Sequence, residues 1–170
     1  MISRLWNHAY FGVFARVVLA GVWGYAGAIK LGEEGGARNA IAAYRLGLSG
    51  DVVSFLGTLL PIVEVLLAVL LLAGIFTRWA AVSSAVLLGI FIIGIAQVWA
   101  RGYAIDCGCF GGGGDVDPEG RHVRYTVEIL RDFLFMALAV RLARNPATPF
   151  SLVPESQRTE KRSEEHTSEL

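Results

Sequence analysis

The sequence predicts an all-α integral membrane protein built as a four-helix bundle. Three observations predict it. The 170 residues are 54% hydrophobic and only 18% charged, where a soluble domain carries about a quarter charged residues. Four stretches are each long enough to cross the hydrocarbon layer, which takes about 20 apolar residues. The chain also holds 20 glycines, and membrane helices tolerate glycine better than soluble ones do. This composition, with a mean hydropathy of +0.52, excludes a disordered chain, a basic nucleic-acid binder and a disulfide-dense secreted mini-protein. The lipid bilayer is the expected partner, and nucleic acid is not.

The first span is expected at about residues 10–31, in YFGVFARVVLAGVWGYAGAIKL. It contains Arg16, ends in Lys30 and is too long in its apolar part for a cleaved signal peptide. Gly21, Gly24 and Gly27 recur every third residue and allow close helix approach. A polar stretch at 32–52 follows, and its NAIAAYRLGL is expected as a short interfacial helix. The second span, about 55–76, holds Glu64 three residues after Pro61, which is expected to kink it. The third, about 79–100, is joined to the second only by Thr77 and Arg78, so the two form a tight antiparallel hairpin. The fourth, about 125–143, is the least hydrophobic. Prolines at 146, 149 and 154 then end the helical pattern.

Ionisable residues inside spans face a bundle interior or a cavity. Arg16, Glu64, Glu128, Arg131 and Asp132 are therefore expected to form an intramembrane charge network. At about 1.5 Å of rise per residue, Arg131, Glu64 and Arg16 lie roughly 9, 14 and 20 Å below the face that carries the loop at 101–124. A Glu64–Arg131 or Glu64–Arg16 pair is expected from these depths. Glu128 and Asp132, four residues apart, share one helix face with Arg131 beside them. The network reads either as a lock between helices or as a proton or quinone-linked relay.

Both cysteines of the chain stand together in Asp106-Cys107-Gly108-Cys109-Phe110-Gly111, followed by three more glycines. Three readings are open. A C-x-C pair can close a small strained ring that is easily reduced and exchanges with a partner thiol. Paired thiolates also suit Cu(I) or Zn(II), although only His122 lies nearby and no metal-ligand set is complete. The third reading is a structural staple. Asp106 opposes ionisation of the thiols, while the N-terminus of the fourth helix favours it.

Lysines and arginines divide evenly between the two faces, so positive charge does not orient the chain. An exchangeable disulfide persists outside the cytosol. On the redox reading the Cys loop lies on the extracytoplasmic face of the cytoplasmic membrane, with both termini inside.

RVVLAGVWGYAGAIKL, AIAAYRLGL, LPIVEVLLAVLLLAGIFTR and IDCGCFGGGG with EILRDFLF together span about residues 13–145. In order and spacing they resemble the methylamine-utilisation MauE family, within the wider DoxX-like four-helix membrane proteins. The resemblance implies a small multi-pass protein of the cytoplasmic membrane that serves methylamine metabolism. It implies help in the maturation, disulfide formation or export of the methylamine dehydrogenase small subunit, together with thioredoxin-like or other exported redox partners. It makes Cys107 and Cys109 the exchanging pair. No cofactor is expected, and any enzymatic role is at most thiol–disulfide exchange. With no second cysteine pair to pass electrons to a quinone, a separate redox partner is expected. The other classes left open are a transporter or soft-metal-handling protein, and a non-catalytic assembly subunit of a redox complex.

The expected organisation is a transmembrane domain at 1–145 and a cytoplasmic tail at 146–161. Residues 162–170, RSEEHTSEL, match the translation of a sequencing-adapter oligonucleotide and are expected to be foreign. Without Arg162, Glu164, Glu165 and Glu169 the apparent neutrality disappears and the chain is slightly basic.

Overall fold

The computed structural model describes residues 9–33 and 35–146; the cytoplasmic tail expected at 146–161 and the foreign segment expected at 162–170 fall almost wholly outside them. The element order is α1 (Ala9–Gly32), α2 (Gly36–Ala43), α3 (Gly50–Ala73), α4 (Thr77–Ala100), β1 (Ile105–Asp106), β2 (Gly114–Asp115) and α5 (Arg121–Arg144). α1, α3 and α4 are long and apolar enough to cross a membrane. α5 matches α3 and α4 in length, at 24 residues, but Glu128, Arg131, Asp132 and its terminal arginines leave it less apolar. Among the described residues, then, three helices of the four expected spans are long and apolar enough to cross a membrane.

Local chemistry sets the helix ends. Ser49 caps α3 by accepting the Val52 N–H on its Oγ at 3.5 Å, and Asp51 lies in the first turn, where a carboxylate complements the helix dipole. At the other end Gly74 turns left-handed at φ 70°. The N–H groups of Gly74 and Ile75 then bond back to Leu71 O and Leu70 O, closing the helix. The chain therefore reverses at residues 74–76. Thr77 and Arg78, expected to be the linker, are instead the first residues of α4, and the second span lies at Gly50–Ala73 rather than 55–76. Ile75 and Phe76 concealed the turn because they are as apolar as the helices beside them.

The expected interfacial helix forms as α2 but starts earlier and stops at Ala43. Arg45 takes a left-handed φ of 50°, and residues 45–49 are irregular. α2 buries Ala37, Ala40 and Ala43, one face at a three-residue spacing.

The long helices pack most closely as two pairs, α1 on α3 and α4 on α5, with α1 also meeting α5 and α3 meeting α4. Small residues permit the α1–α3 approach. A Cβ on Gly27 would stand 3.0 Å from Pro61 O and 3.1 Å from Val65 N, and one on Gly24 would stand 3.5 Å from Ala68 Cβ. Gly21 faces open space, so the three-glycine stripe narrows to two working positions. Pro61 sits within the continuous α3. The core between the helices is formed by Leu19, Trp23, Leu67, Leu71, Leu88 and Leu142 among others. Inside it, Trp23 Nε1 donates to Ser84 Oγ at 2.9 Å and Ser84 Oγ donates to Ala80 O at 2.8 Å, so neither buried polar group is left without a partner. A second cluster joins Ala43, Ile95, Val98, Ile105 and Tyr125 to the two cysteines. It seats the 105–115 segment on the ends of α2, α4 and α5.

Candidate functional site

The segment expected as a plain glycine-rich loop is a minimal hairpin. β1 and β2 pair antiparallel, Ile105 opposite Asp115 and Asp106 opposite Gly114, which leaves Cys107 and Cys109 in the connecting loop. Asp106 Oδ1 accepts the Gly108 N–H at 2.8 Å, an Asx turn that folds the C-x-C back on itself. Gly108 and Gly113 hold φ of 68° and 103°, a region in which a Cβ is costly. Both also lie directly under Ala40 of α2: a Cβ on Gly113 would stand 2.8 Å from Ala40 Cα and 2.9 Å from Ala40 N.

Three further side chains hold the hairpin in place. The Tyr125 hydroxyl, from the first turns of α5, accepts the Ile105 N–H at 2.8 Å and lies 3.2 Å from both Tyr103 O and Ile105 O. The Tyr44 hydroxyl, at the end of α2, donates to Cys107 O at 3.1 Å. Glu33 Oε2, beyond the end of α1, accepts the Gly112 N–H at 3.0 Å.

Within this frame both cysteines are buried free thiols. The Cys109 backbone N–H donates to Cys107 Sγ at 3.4 Å. The Cys107 side chain is also a hydrogen-bond partner of the Cys109 thiol and of the Glu128 carboxyl. The hydrogen bond to Cys107, then burial, then the fields of Cys107 and Asp132 push the Cys109 thiol well above the ordinary thiol range, with Lys30 pulling the other way. Burial, followed by the fields of Cys109, Cys107, Glu128 and Asp132, raises the Tyr44 phenol, which keeps it a hydrogen-bond donor.

The structure gathers most of the expected charge network beneath this loop, with different pairings. Glu64 meets neither Arg131 nor Arg16. Its Oε1 lies 2.5 Å from Lys30 Nζ, with side-chain exposures of 0% and 3%. Arg131 instead takes its neighbour Asp132, Nη2 to Oδ1 at 2.9 Å, while its guanidinium stacks 4.5 Å from the centre of the Phe110 ring. Arg131 lies within electrostatic reach of both cysteines. Arg16 stands apart: its Nε and Nη2 donate to Leu71 O at 2.9 Å and Leu72 O at 3.0 Å. It thereby adds a second donor to Leu71 O, which already takes the Gly74 N–H, and supplies one to Leu72 O at the C-terminus of α3.

Depth along the helix axis misjudged Lys30. The residue lies in the last turn of α1, but its flexible stem carries the ammonium inward to Glu64 rather than out to water. Tyr44 and Tyr125 were also missed as supports of the loop. The available signal was their position, one just before the polar 45–49 segment and one in the first turns of the fourth helix, where a tyrosine can bury its ring and still reach a polar edge. Glu64 Oε2, Glu128 Oε2 and Asp132 Oδ2 are buried without a hydrogen-bond partner among the described residues. Among those residues no group of three His, Cys, Asp or Glu side chains could hold a metal ion.

No curated protein and no solved structure matches the chain. Residues 8–144 match the family described as methylamine utilisation protein MauE. That match runs through every helix described above and through the cysteine hairpin, and the chain belongs to the methylamine utilisation protein MauE family.

Proposed function

We propose that this membrane protein is the thiol–disulfide exchange component of an extracytoplasmic maturation system in methylamine utilisation. Cys107 and Cys109 are its exchanging pair. One observation carries the reading: both cysteines of the chain lie in one hairpin loop, the Cys109 N–H on Cys107 Sγ at 3.4 Å, above buried Glu128, Asp132 and the Lys30–Glu64 pair. A merely structural pair does not call for four ionisable groups held beneath it in a low-dielectric interior, where each is costly to bury. Membership of the methylamine utilisation family supports the pathway. The partner is a thioredoxin-like or other exported redox protein, with the methylamine dehydrogenase small subunit the favoured final client.

In this reading α5 is the fourth span. It buries Glu128 and Asp132 against the bundle and turns Val127, Leu130 and Leu134 outward to lipid. The hairpin faces the extracytoplasmic side and the termini face the cytoplasm. A cysteine placed at exposed Glu119 in a Cys107→Ser/Cys109→Ser background reports this orientation through labelling by an impermeant maleimide on intact cells.

The function is tested in cells growing on methylamine, by counting free thiols in the dehydrogenase small subunit with a mass-tagging maleimide. Loss of both cysteines is expected to leave that subunit with unpaired thiols and to halt growth on methylamine. Full disulfide content in the double variant contradicts the reading.

A further inference from the structure

We propose that Cys107 is the attacking thiol, Cys109 the resolving thiol and Glu128 the acceptor of the Cys107 proton; this rests on the exchange reading above. The two cysteines are not equivalent. Cys107 Sγ accepts the backbone N–H of Cys109 at 3.4 Å and is the hydrogen-bond partner of the Cys109 thiol. Accepted hydrogen bonds favour charge on the sulfur that receives them. Cys109 is the more buried residue, at 6% exposure against 9%. No backbone donor to it is seen among the described residues, and its thiol lies well above the ordinary range for the causes given above. Cys109 therefore keeps its proton until it is needed, and Cys107, the sulfur that accepts the Cys109 N–H, is the one placed to attack.

Glu128 supplies the place for the first proton. Its carboxyl is the hydrogen-bond partner of the Cys107 side chain, and its Oε2 is buried without a hydrogen-bond partner among the described residues. The groups facing this carboxyl and the thiols are Asp106 on the hairpin, Tyr44 at the end of α2, Arg124, Arg131 and Asp132 on α5, and Lys30 of α1.

The steps balance without an external oxidant. Cys107 gives its proton to Glu128 and its thiolate attacks one sulfur of a partner disulfide. The partner's S–S bond breaks, a Cys107–partner S–S bond forms, and the displaced partner thiolate takes the proton of Cys109. The Cys109 thiolate then attacks Cys107 Sγ and expels the partner's first sulfur, to which Glu128 returns its proton. The pair is oxidised by two electrons and the partner disulfide becomes a dithiol. Run backwards, the same steps oxidise a client dithiol.

The test uses the full chain in lipid nanodiscs with a small aromatic disulfide as probe, and follows mixed-disulfide formation by intact mass. Cys109→Ser, which keeps Cys107, is expected to form the adduct at least about tenfold faster than Cys107→Ser. Glu128→Gln in the Cys109→Ser background is expected to slow it by about 10²-fold near neutral pH, the low end of general-base effects. Its rate should then climb about tenfold per pH unit as hydroxide replaces the carboxylate, and Glu128→Asp should recover part of the loss. Equal or reversed rates for the two single-cysteine variants overturn the assignment while leaving exchange intact. An unchanged pH profile in Glu128→Gln overturns the role of the carboxyl. A wild-type pair that reacts with no disulfide overturns the exchange reading itself.

Discussion

Lys30 Nζ and Glu64 Oε1 meet at 2.5 Å across the seam between α1 and α3, with side chains 3% and 0% exposed. Both charges are out of reach of water, so each depends on the other. The pair does more than tie two helices together, because the Lys30 charge also acts on Cys109.

Removing one partner leaves an uncompensated buried charge. Lys30→Met is expected to cost about 3–5 kcal/mol, read as a lowered midpoint in denaturant unfolding of the purified protein. Lys30→Met/Glu64→Leu should recover most of that loss, because two apolar side chains of similar volume remove both desolvation penalties together. A double variant no more stable than the single one contradicts the pairing.

The α1–α3 seam makes a sharper distinction than composition does. Gly27→Ala places its Cβ against Pro61 O and Val65 N at 3.0 and 3.1 Å and is expected to destabilise by about 1–3 kcal/mol through overpacking. Gly21→Ala meets nothing within 4 Å and should be neutral or slightly stabilising, since alanine suits a helix better. Thermal unfolding of the two variants side by side checks the contrast, and equal losses would contradict it.

The hairpin tip depends on Gly113. Gly113→Ala combines a φ of 103° with overlap onto Ala40, so the loop must lift from α2. Faster alkylation of both cysteines is expected, with little loss of helix content by circular dichroism. Ala40→Gly should restore protection only in part, because it removes the collision but not the backbone strain. Unchanged alkylation in Gly113→Ala contradicts the packing described.

The Cys109 thiol should respond to pH in a fixed direction. Its ionisation is held back in the fold by its hydrogen bond to Cys107, by burial and by the fields of Cys107 and Asp132. Alkylation at Cys109 is therefore expected to climb only at pH values above the ordinary thiol range near 8.5. Asp132→Asn should bring the rise to lower pH, and loss of the Lys30 charge should move it higher. The linked stability is fully present below the unfolded thiol's range and is lost as pH rises toward the folded value. A Cys109 rate profile centred on the ordinary range contradicts this electrostatic picture.

Three of the spans were legible because a membrane helix is written in apolar length, and α1, α3 and α4 carry that signal without interruption. The cysteine pair was legible because C-x-C among glycines has few other uses. What stayed hidden was contact made by reach rather than by position. The Lys30 stem carries its charge past the end of its own helix, so counting depth along the axis paired Glu64 with the wrong cation. The turn at Gly74 was masked by apolar Ile75 and Phe76. The hairpin at 105–115 was invisible because each strand is two residues long, too short for alternation to register. Arg16 looked like a member of the network, yet its Nε and Nη2 donate to Leu71 O and Leu72 O.

The exchange chemistry of the cysteine pair is the centre of this account. Its most direct test is to equilibrate the purified full chain in nanodiscs against glutathione buffers of graded redox potential and weigh the peptide spanning residues 107–109. Reversible loss of two hydrogens is expected, marking a Cys107–Cys109 disulfide that forms and opens with the buffer. A pair that stays reduced throughout, or that takes up only glutathione, contradicts it.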